Sequence, residues 1–159
     1  MKIKAILFLA LIVLTSFQQK DKADQKLKKN LAANELSLKG TWELISRYNY
    51  RNNEVVDTFY VAKSYRQVKM YSDSKVMWSR KLLSNDSTEW FGYGSYKLNA
   101  NKDTLREVLD FASHVMNKYI EDLGVFVMEI SELTENSFTQ IEIDGEGNRV
   151  ISENYVRIE

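Results

Sequence analysis

Cysteine and proline are both absent from this chain, and it holds a single histidine, His114. Without cysteine there is no disulfide framework, no thiolate metal site, no thiol nucleophile and no attachment point for a lipid anchor behind a leader. Without proline every backbone N–H stays available for pairing, which suits a continuous strand ladder and argues against proline-rich linkers. One histidine leaves any metal site to carboxylates and any hydrolytic triad to His114, at a helix start, so no metal, cofactor or triad is expected. An excess of either charge is missing too: 22 Lys and Arg balance 22 Asp and Glu. A chain without a net basic field is poorly suited to nucleic acid, which leaves partners to be recognised by shape and apolar contact.

Long apolar runs are also scarce. The longest, "AILFLALIVL" over residues 5–14, falls well short of the ~18 residues of a membrane-spanning helix. Preceded by the basic "MKIK" and followed by "TSFQQ", it reads as a secretory leader over 1–18, cut near Ser16 or Gln18, with an uncleaved anchor as the open alternative. Residues 19–37 are rich in Lys, Ala, Asn and Leu, with a weak stripe at Ala23, Leu27 and Leu31. They read as a polar linker or short leading helix. Residues 38–159 then make one domain, large enough to bury a core without staples. With no lipobox cysteine, a secreted or periplasmic protein with no stable membrane span after cleavage is expected.

What fills that domain is strand-like. The runs "GTWELISRYNY", "VVDTFYVA", "YRQVKMY", "KVMWSRKLL", "TEWFGYGSYKL", "DTLREVLDFA", "VFVMEISEL", "SFTQIEI" and "RVISENYVRI" alternate with the turns "RNNE", "SDS", "SNDS", "NANK", "TEN" and "DGEGN". "DGEGN" lacks the glycine and terminal acid of a calcium loop, and Asn85-Asp86-Ser87 is a glycosylation sequon in form only; both read as turns. One helix interrupts the strands near residues 114–123. Ser113 is its expected cap, Gly124 its left-handed end, and Val115, Met116, Tyr119, Ile120 and Leu123 form an apolar stripe to be buried on the sheet or across a barrel opening. An antiparallel meander this long leaves two hazardous edges unless it closes, so the expected fold is an all-β up-and-down barrel of about eight to ten strands. Gly92 and Gly94 mark a bend or bulge rather than a phosphate loop, since no helix start or P-loop lysine follows them.

The opening "LKGTW" resembles the start of lipocalins and related calycin barrels, and Arg157 in the final "YVRI" matches the arginine that lies across that tryptophan at their closed end. "KMYSDSKVMW", "GYGSYKL" and "LREVLDF" are similar in order and spacing to bacterial secreted lipocalin-like domains of unknown function. The resemblance covers residues 38–158 and implies a barrel whose closed end is built on Trp42 and Arg157. It also implies a non-catalytic role holding a small hydrophobic or amphipathic molecule. The chain departs from a typical lipocalin in lacking disulfides and in placing its helix before the last three strands.

Alternation along the first strand puts Trp42, Leu44, Ser46 and Tyr48 on the inner face, which makes Trp42 a plug in preference to a ligand contact. In the next hairpin, if Tyr71 faces Val76, then Gln67, Lys69, Trp78 and Arg80 share their face and Arg66, Val68, Met70, Met77 and Ser79 take the other. The first set has the profile of a pocket; the plainer reading, preferred here, leaves Arg66 and Arg80 solvated or paired at the surface, and the inner face stays open. Glu107 is in phase with Leu105, Leu109 and Phe111 and needs a partner, with Arg80 the natural one, as a structural lock in preference to a ligand anchor. The candidate ligand residues are therefore Tyr71, Trp78, Arg80, Tyr96 and Glu107. A protein-interaction or inhibitor module with a filled barrel is the alternative, and an enzyme, built on Glu107, Tyr71, Arg80 and Lys69, a more distant one.

Overall fold

Nine strands and one helix follow one another in a computed structural model that describes residues 36–61, 64–83 and 89–159. The expected leader, the linker as far as residue 35 and the turn Asn85-Asp86-Ser87 lie outside the described residues. The strands are β1 (Gly40–Arg51), β2 (Glu54–Tyr60), β3 (Tyr65–Tyr71), β4 (Lys75–Leu82), β5 (Glu89–Leu98), β6 (Thr104–Ala112), β7 (Phe126–Leu133), β8 (Ser137–Ile143) and β9 (Arg149–Arg157), with helix α1 (His114–Leu123) between β6 and β7. Each matches a run read from the sequence. The turns form as their residues allow: Asn52 and Asn53 take φ of 53° and 63°, the left-handed pair a two-residue hairpin needs. In "DGEGN" the Asp144 carboxylate accepts the backbone N–H groups of Glu146 and Asn148.

From β3 to β9 each strand pairs antiparallel with the next, and β1 pairs with β9 over Trp42–Asn49, which closes the sheet. On its other edge β1 pairs with β3 over Gly40–Glu43 and with β2 over Ser46–Arg51. β2 therefore continues the line of β3 along β1, and eight strands close the barrel. At the end where β1 begins, Trp42 is 0% exposed and donates its indole N–H to the Leu38 carbonyl at 2.6 Å. The Arg157 guanidinium lies 4.0 Å from its ring centroid and donates to the carbonyls of Ser37, Lys39 and Glu135. Phe138 meets the indole edge-on at 4.8 Å and stacks on Tyr155 at 4.6 Å. Burying an indole of ~200 Å² at ~25 cal/mol per Å² contributes roughly 5 kcal/mol as an upper figure, so this layer anchors the closed end.

Two bulges correct the simple alternation. β1 carries one extra residue against β9 at Ile45, so Trp42 and Leu44 stay inside while Ser46 and Tyr48, expected inside, change face and Arg47 turns into the barrel. β6 likewise carries Asp110 as an extra residue against β5. Phe111 therefore leaves the face of Glu107 and is 57% exposed, packing outside against Tyr93 at 5.2 Å. The second bulge sits where Gly92 and Gly94 predict one. A Cβ on Gly94 would stand 1.9 Å from the Val108 carbonyl oxygen, and one on Gly92 would stand 2.8 Å from the Trp78 indole nitrogen.

Helix α1 ends at Gly124, whose φ is 65°, and packs on β5 and β6. It follows the end of β6 away from Trp42, so it lies at the barrel's opposite, open end. Its stripe is not buried as expected: among its residues only Met116 is buried, whereas Val115, Tyr119 and Leu123 are exposed. The Ser113 hydroxyl makes no capping bond and is buried without a hydrogen-bond partner among the described residues. One turn of contact, with Ile120 half-buried and the Tyr119 ring 6.4 Å from that of Trp90, suffices to seat a short helix over the mouth and leaves Val115 and Leu123 in solvent.

Candidate functional site

The hairpin β3–β4 has the register that sets its parity, with Tyr71 opposite Val76 and Lys69 opposite Trp78. Tyr65, Gln67, Lys69 and Tyr71 are buried and Arg66 and Met70 exposed, so the polar and aromatic set is the inner one. Above the aromatic plug these residues meet Glu107 from β6, Gln140 from β8, and Glu153 and Tyr155 from β9 in one hydrogen-bonded layer. Lys69 Nζ donates to Glu107 Oε1 and to Gln140 Oε1, each at 3.0 Å, and the Tyr71 hydroxyl donates to Glu107 Oε1 at 2.6 Å. Gln140 passes the network on to Glu153 Oε2 at 2.9 Å, which also accepts the Tyr155 hydroxyl at 2.7 Å. Arg80 completes it, donating to Gln67 Oε1 at 2.5 Å and to Glu153 Oε1 at 3.2 Å. The side chains of Lys69 and Glu107 are each 4% exposed, a burial that charged groups tolerate only when paired and hydrogen-bonded as these are.

Over this floor the barrel is open. A cavity of about 170 Å³ lies within it. Its walls combine the apolar and aromatic Trp78, Trp90, Leu109, Met116 and Phe126 with the charged Arg47, Arg80, Glu142 and Glu153. Gly92 lies opposite Trp78 in the β4–β5 ladder and leaves room for its indole. Arg80 is held flat, its guanidinium 4.7 Å from the Tyr65 ring centroid and 5.9 Å from that of Trp90, an arrangement in which ring faces supply negative charge to a cation.

Electrostatics keeps the floor in one protonation pattern. Burial first, then the neighbouring Glu107 carboxylate, pushes the Tyr71 phenol well above its ordinary range. Burial and then Glu153 do the same to Tyr155. Both phenols thus stay neutral donors, each bonded to a carboxylate. Glu142 differs: it faces the cavity, remains open to solvent through the mouth, and has no hydrogen bond or ion pair among the described residues. Partial loss of water and then the charge of Glu153 raise its carboxyl above the usual range.

Of the candidate ligand residues, Trp78, Arg80 and Glu107 line the cavity. Tyr71 and Tyr96 do not: they pack together at 4.8 Å below it, and the Tyr96 hydroxyl donates to the Ser72 carbonyl near the closed end. The preferred surface reading of the arginines holds for Arg66, which is exposed and bonds Glu43 at 2.7 Å, and fails for Arg80, which points inward. Glu107 pairs with Lys69 and not with Arg80, because Arg80 stands two cross-strand pairs, one inward-facing pair, nearer the mouth, level with Gln67, and reaches Glu153 instead. Arg47, Trp90, Glu142 and Glu153 were not singled out. The alternation of "RVISENYVRI", continued back from Arg157 through Tyr155, places Glu153 inside, and that signal was present in the sequence.

No family model matches the chain, and no curated protein matches it. Among solved structures it is similar to a lipocalin-like protein from Bacteroides uniformis at 16% identity, with a TM-score of 0.49, covering 76% of this chain and 98% of that one. It is similar also to an uncharacterized protein from Bacteroides eggerthii at 16% identity, with a TM-score of 0.48, covering 76% and 99%, and to a redesigned β-barrel at 14% identity, with a TM-score of 0.41, covering 77% and 92%. At these scores the likeness adds nothing about ligand or activity, and the architecture rests on the strand pairing itself. That pairing makes the chain a closed eight-stranded antiparallel β-barrel, joined between β1 and β9, plugged at one end by Trp42 beneath Arg157 and open at the other under α1.

Proposed function

We propose that this chain is a non-catalytic binding protein, exported by its N-terminal leader, that holds a small amphipathic molecule in the open half of the barrel. The observation that carries the reading is the unfilled cavity whose lining combines aromatic and apolar walls with a hydrogen-bonded polar network, the combination in which a ligand's apolar part and polar head are both served. Absence of catalysis is supported by the state of the floor: Lys69, Glu107, Tyr71 and Glu153 are engaged with one another, and His114 is exposed at the start of α1. An interaction module would present the exposed faces of α1 and of the outer wall, but it gives no reason for the open cavity.

Native mass spectrometry of protein purified from its own host tests the binding reading. A co-purifying small molecule released on unfolding is the expected result; empty protein whose cavity is shown by crystallography to be closed by side chains would sink the reading. The same spectrum reads the leader, since export predicts a mature mass lacking about the first 16–18 residues.

A further inference from the structure

Six charged side chains face the cavity: Arg47, Lys69, Arg80, Glu107, Glu142 and Glu153. Three are cations and three are carboxylates, so the interior is balanced as a whole, yet it is not balanced pair by pair. Lys69 and Glu107 satisfy each other with help from Tyr71 and Gln140. Arg80 and Glu153 do the same with Gln67 and Tyr155. Arg47 and Glu142 are left over. Arg47 keeps a long hydrogen bond from Nη1 to the Tyr65 hydroxyl, 3.4 Å, and a 3.9 Å ion pair from Nε to Glu153, beyond hydrogen-bond reach, so its buried Nε–H has no hydrogen-bond partner among the described residues. Glu142 makes no hydrogen bond or close ion pair among the described residues and feels Arg47 and Lys69 only as charges at a distance.

The two flank β9 from opposite sides: Arg47 is paired with Glu153, and Glu142 with Ile151, one inward position nearer the mouth. An unfilled donor and an unfilled carboxylate on neighbouring strands of one cavity wall make a site for a molecule that carries both charges. Either group alone would leave the other desolvated by the ligand and unpaired, which selects against a purely anionic or purely cationic guest. Resting on the binding reading above, we propose that the cavity takes a small zwitterionic amphiphile, with its carboxylate on Arg47, its ammonium on Glu142 and its apolar part between Trp78, Trp90, Leu109 and Met116. Lys69 and Arg80 serve as the fixed floor. Glu142, being nearer the mouth and solvated, is the group that discriminates.

Calorimetric titration of the full mature chain with four matched probes tests this: phenylalanine, N-acetylphenylalanine, phenylalaninamide and N-acetylphenylalaninamide, which differ only in which charge they carry. Phenylalanine binding about tenfold tighter than either singly charged probe is the expected result, corresponding to ~1.4 kcal/mol for the second charge. Glu142→Gln, at a side chain with no bonds to lose, is expected to weaken phenylalanine and the amide about tenfold while leaving N-acetylphenylalanine within twofold. Arg47→Lys, which keeps the charge but removes the Nε–H, is expected to weaken the two carboxylate probes alone. If the neutral probe binds as tightly as phenylalanine, or Glu142→Gln acts equally on all four, the zwitterion assignment falls while the binding reading stands. Saturation by none of the four at millimolar concentration also overturns it, and the co-purification measurement then decides the binding reading separately.

Discussion

Lys69 and Glu107, each with a 4% exposed side chain, are expensive charges to bury, and they persist because neither faces the interior alone. Glu107→Gln or Lys69→Met is expected to destabilise the protein by about 3–5 kcal/mol in urea unfolding, the usual loss when one half of a buried pair is removed. The double substitution is expected to recover much of that, since it removes both uncompensated charges; a strictly additive double loss would mean the pair is not coupled. Glu142 has the opposite character. Its folded-state carboxyl is raised by burial and by Glu153, so its contribution favours folding below the ordinary glutamate range and is lost as pH rises through the raised value. Glu142→Gln is therefore expected to stabilise the ligand-free protein slightly at neutral pH, by about 0.5 kcal/mol or less because the group is solvent-screened. Denaturation midpoints at pH 4 and pH 7 read this: the gain should appear at pH 7 and vanish at pH 4.

The nine strands and the helix were legible because alternation, β-branched and aromatic runs, and turn residues all pointed the same way. The bulges at Ile45 and Asp110 were only half legible. Gly92 and Gly94 announced the second, through the room their missing Cβ atoms leave. Nothing about Ile45 marks the first, since its extra residue shows only in the pairing with β9. That one residue decides whether Arg47 or Ser46 faces inward, and so the site was less readable than the fold. Deleting Ile45 is expected to remove the bulge while leaving Ser46 opposite Asn154 and Arg47 opposite Glu153, so that carboxylate selectivity in the probe titration survives; its loss would mean that the bulge itself, and not the register with β9, aims Arg47. Gly94→Ala, which drives a Cβ against the Val108 carbonyl, is expected to cost about 1–3 kcal/mol by urea unfolding. Helix α1 holds the barrel through buried Met116, half-buried Ile120 and the Tyr119–Trp90 ring contact, so its amides are expected to exchange through local opening well before those of β1 and β9.

Across the whole molecule the barrel divides along its axis into a filled half and an open half. Trp42, Phe138 and Tyr155 fill the closed end, the Lys69–Glu107 layer seals it, and the space above is bounded by Trp78 and Trp90. The chain's three tryptophans thus sit on both sides of the boundary, one in the plug and two in the cavity wall. The identity of Glu107's partner was not readable from spacing, because it is set by which side chain reaches across the barrel at that height. The plug was readable, because Trp42 and Arg157 open and close the same barrel. The most direct test follows the three indole N–H signals by heteronuclear NMR while the tightest-binding probe of the phenylalanine series is added. The signals of Trp78 and Trp90 are expected to shift in a saturable way while that of Trp42, bonded to the Leu38 carbonyl, stays in place; a shift confined to Trp42, or no shift at saturation, would contradict the division into plug and cavity.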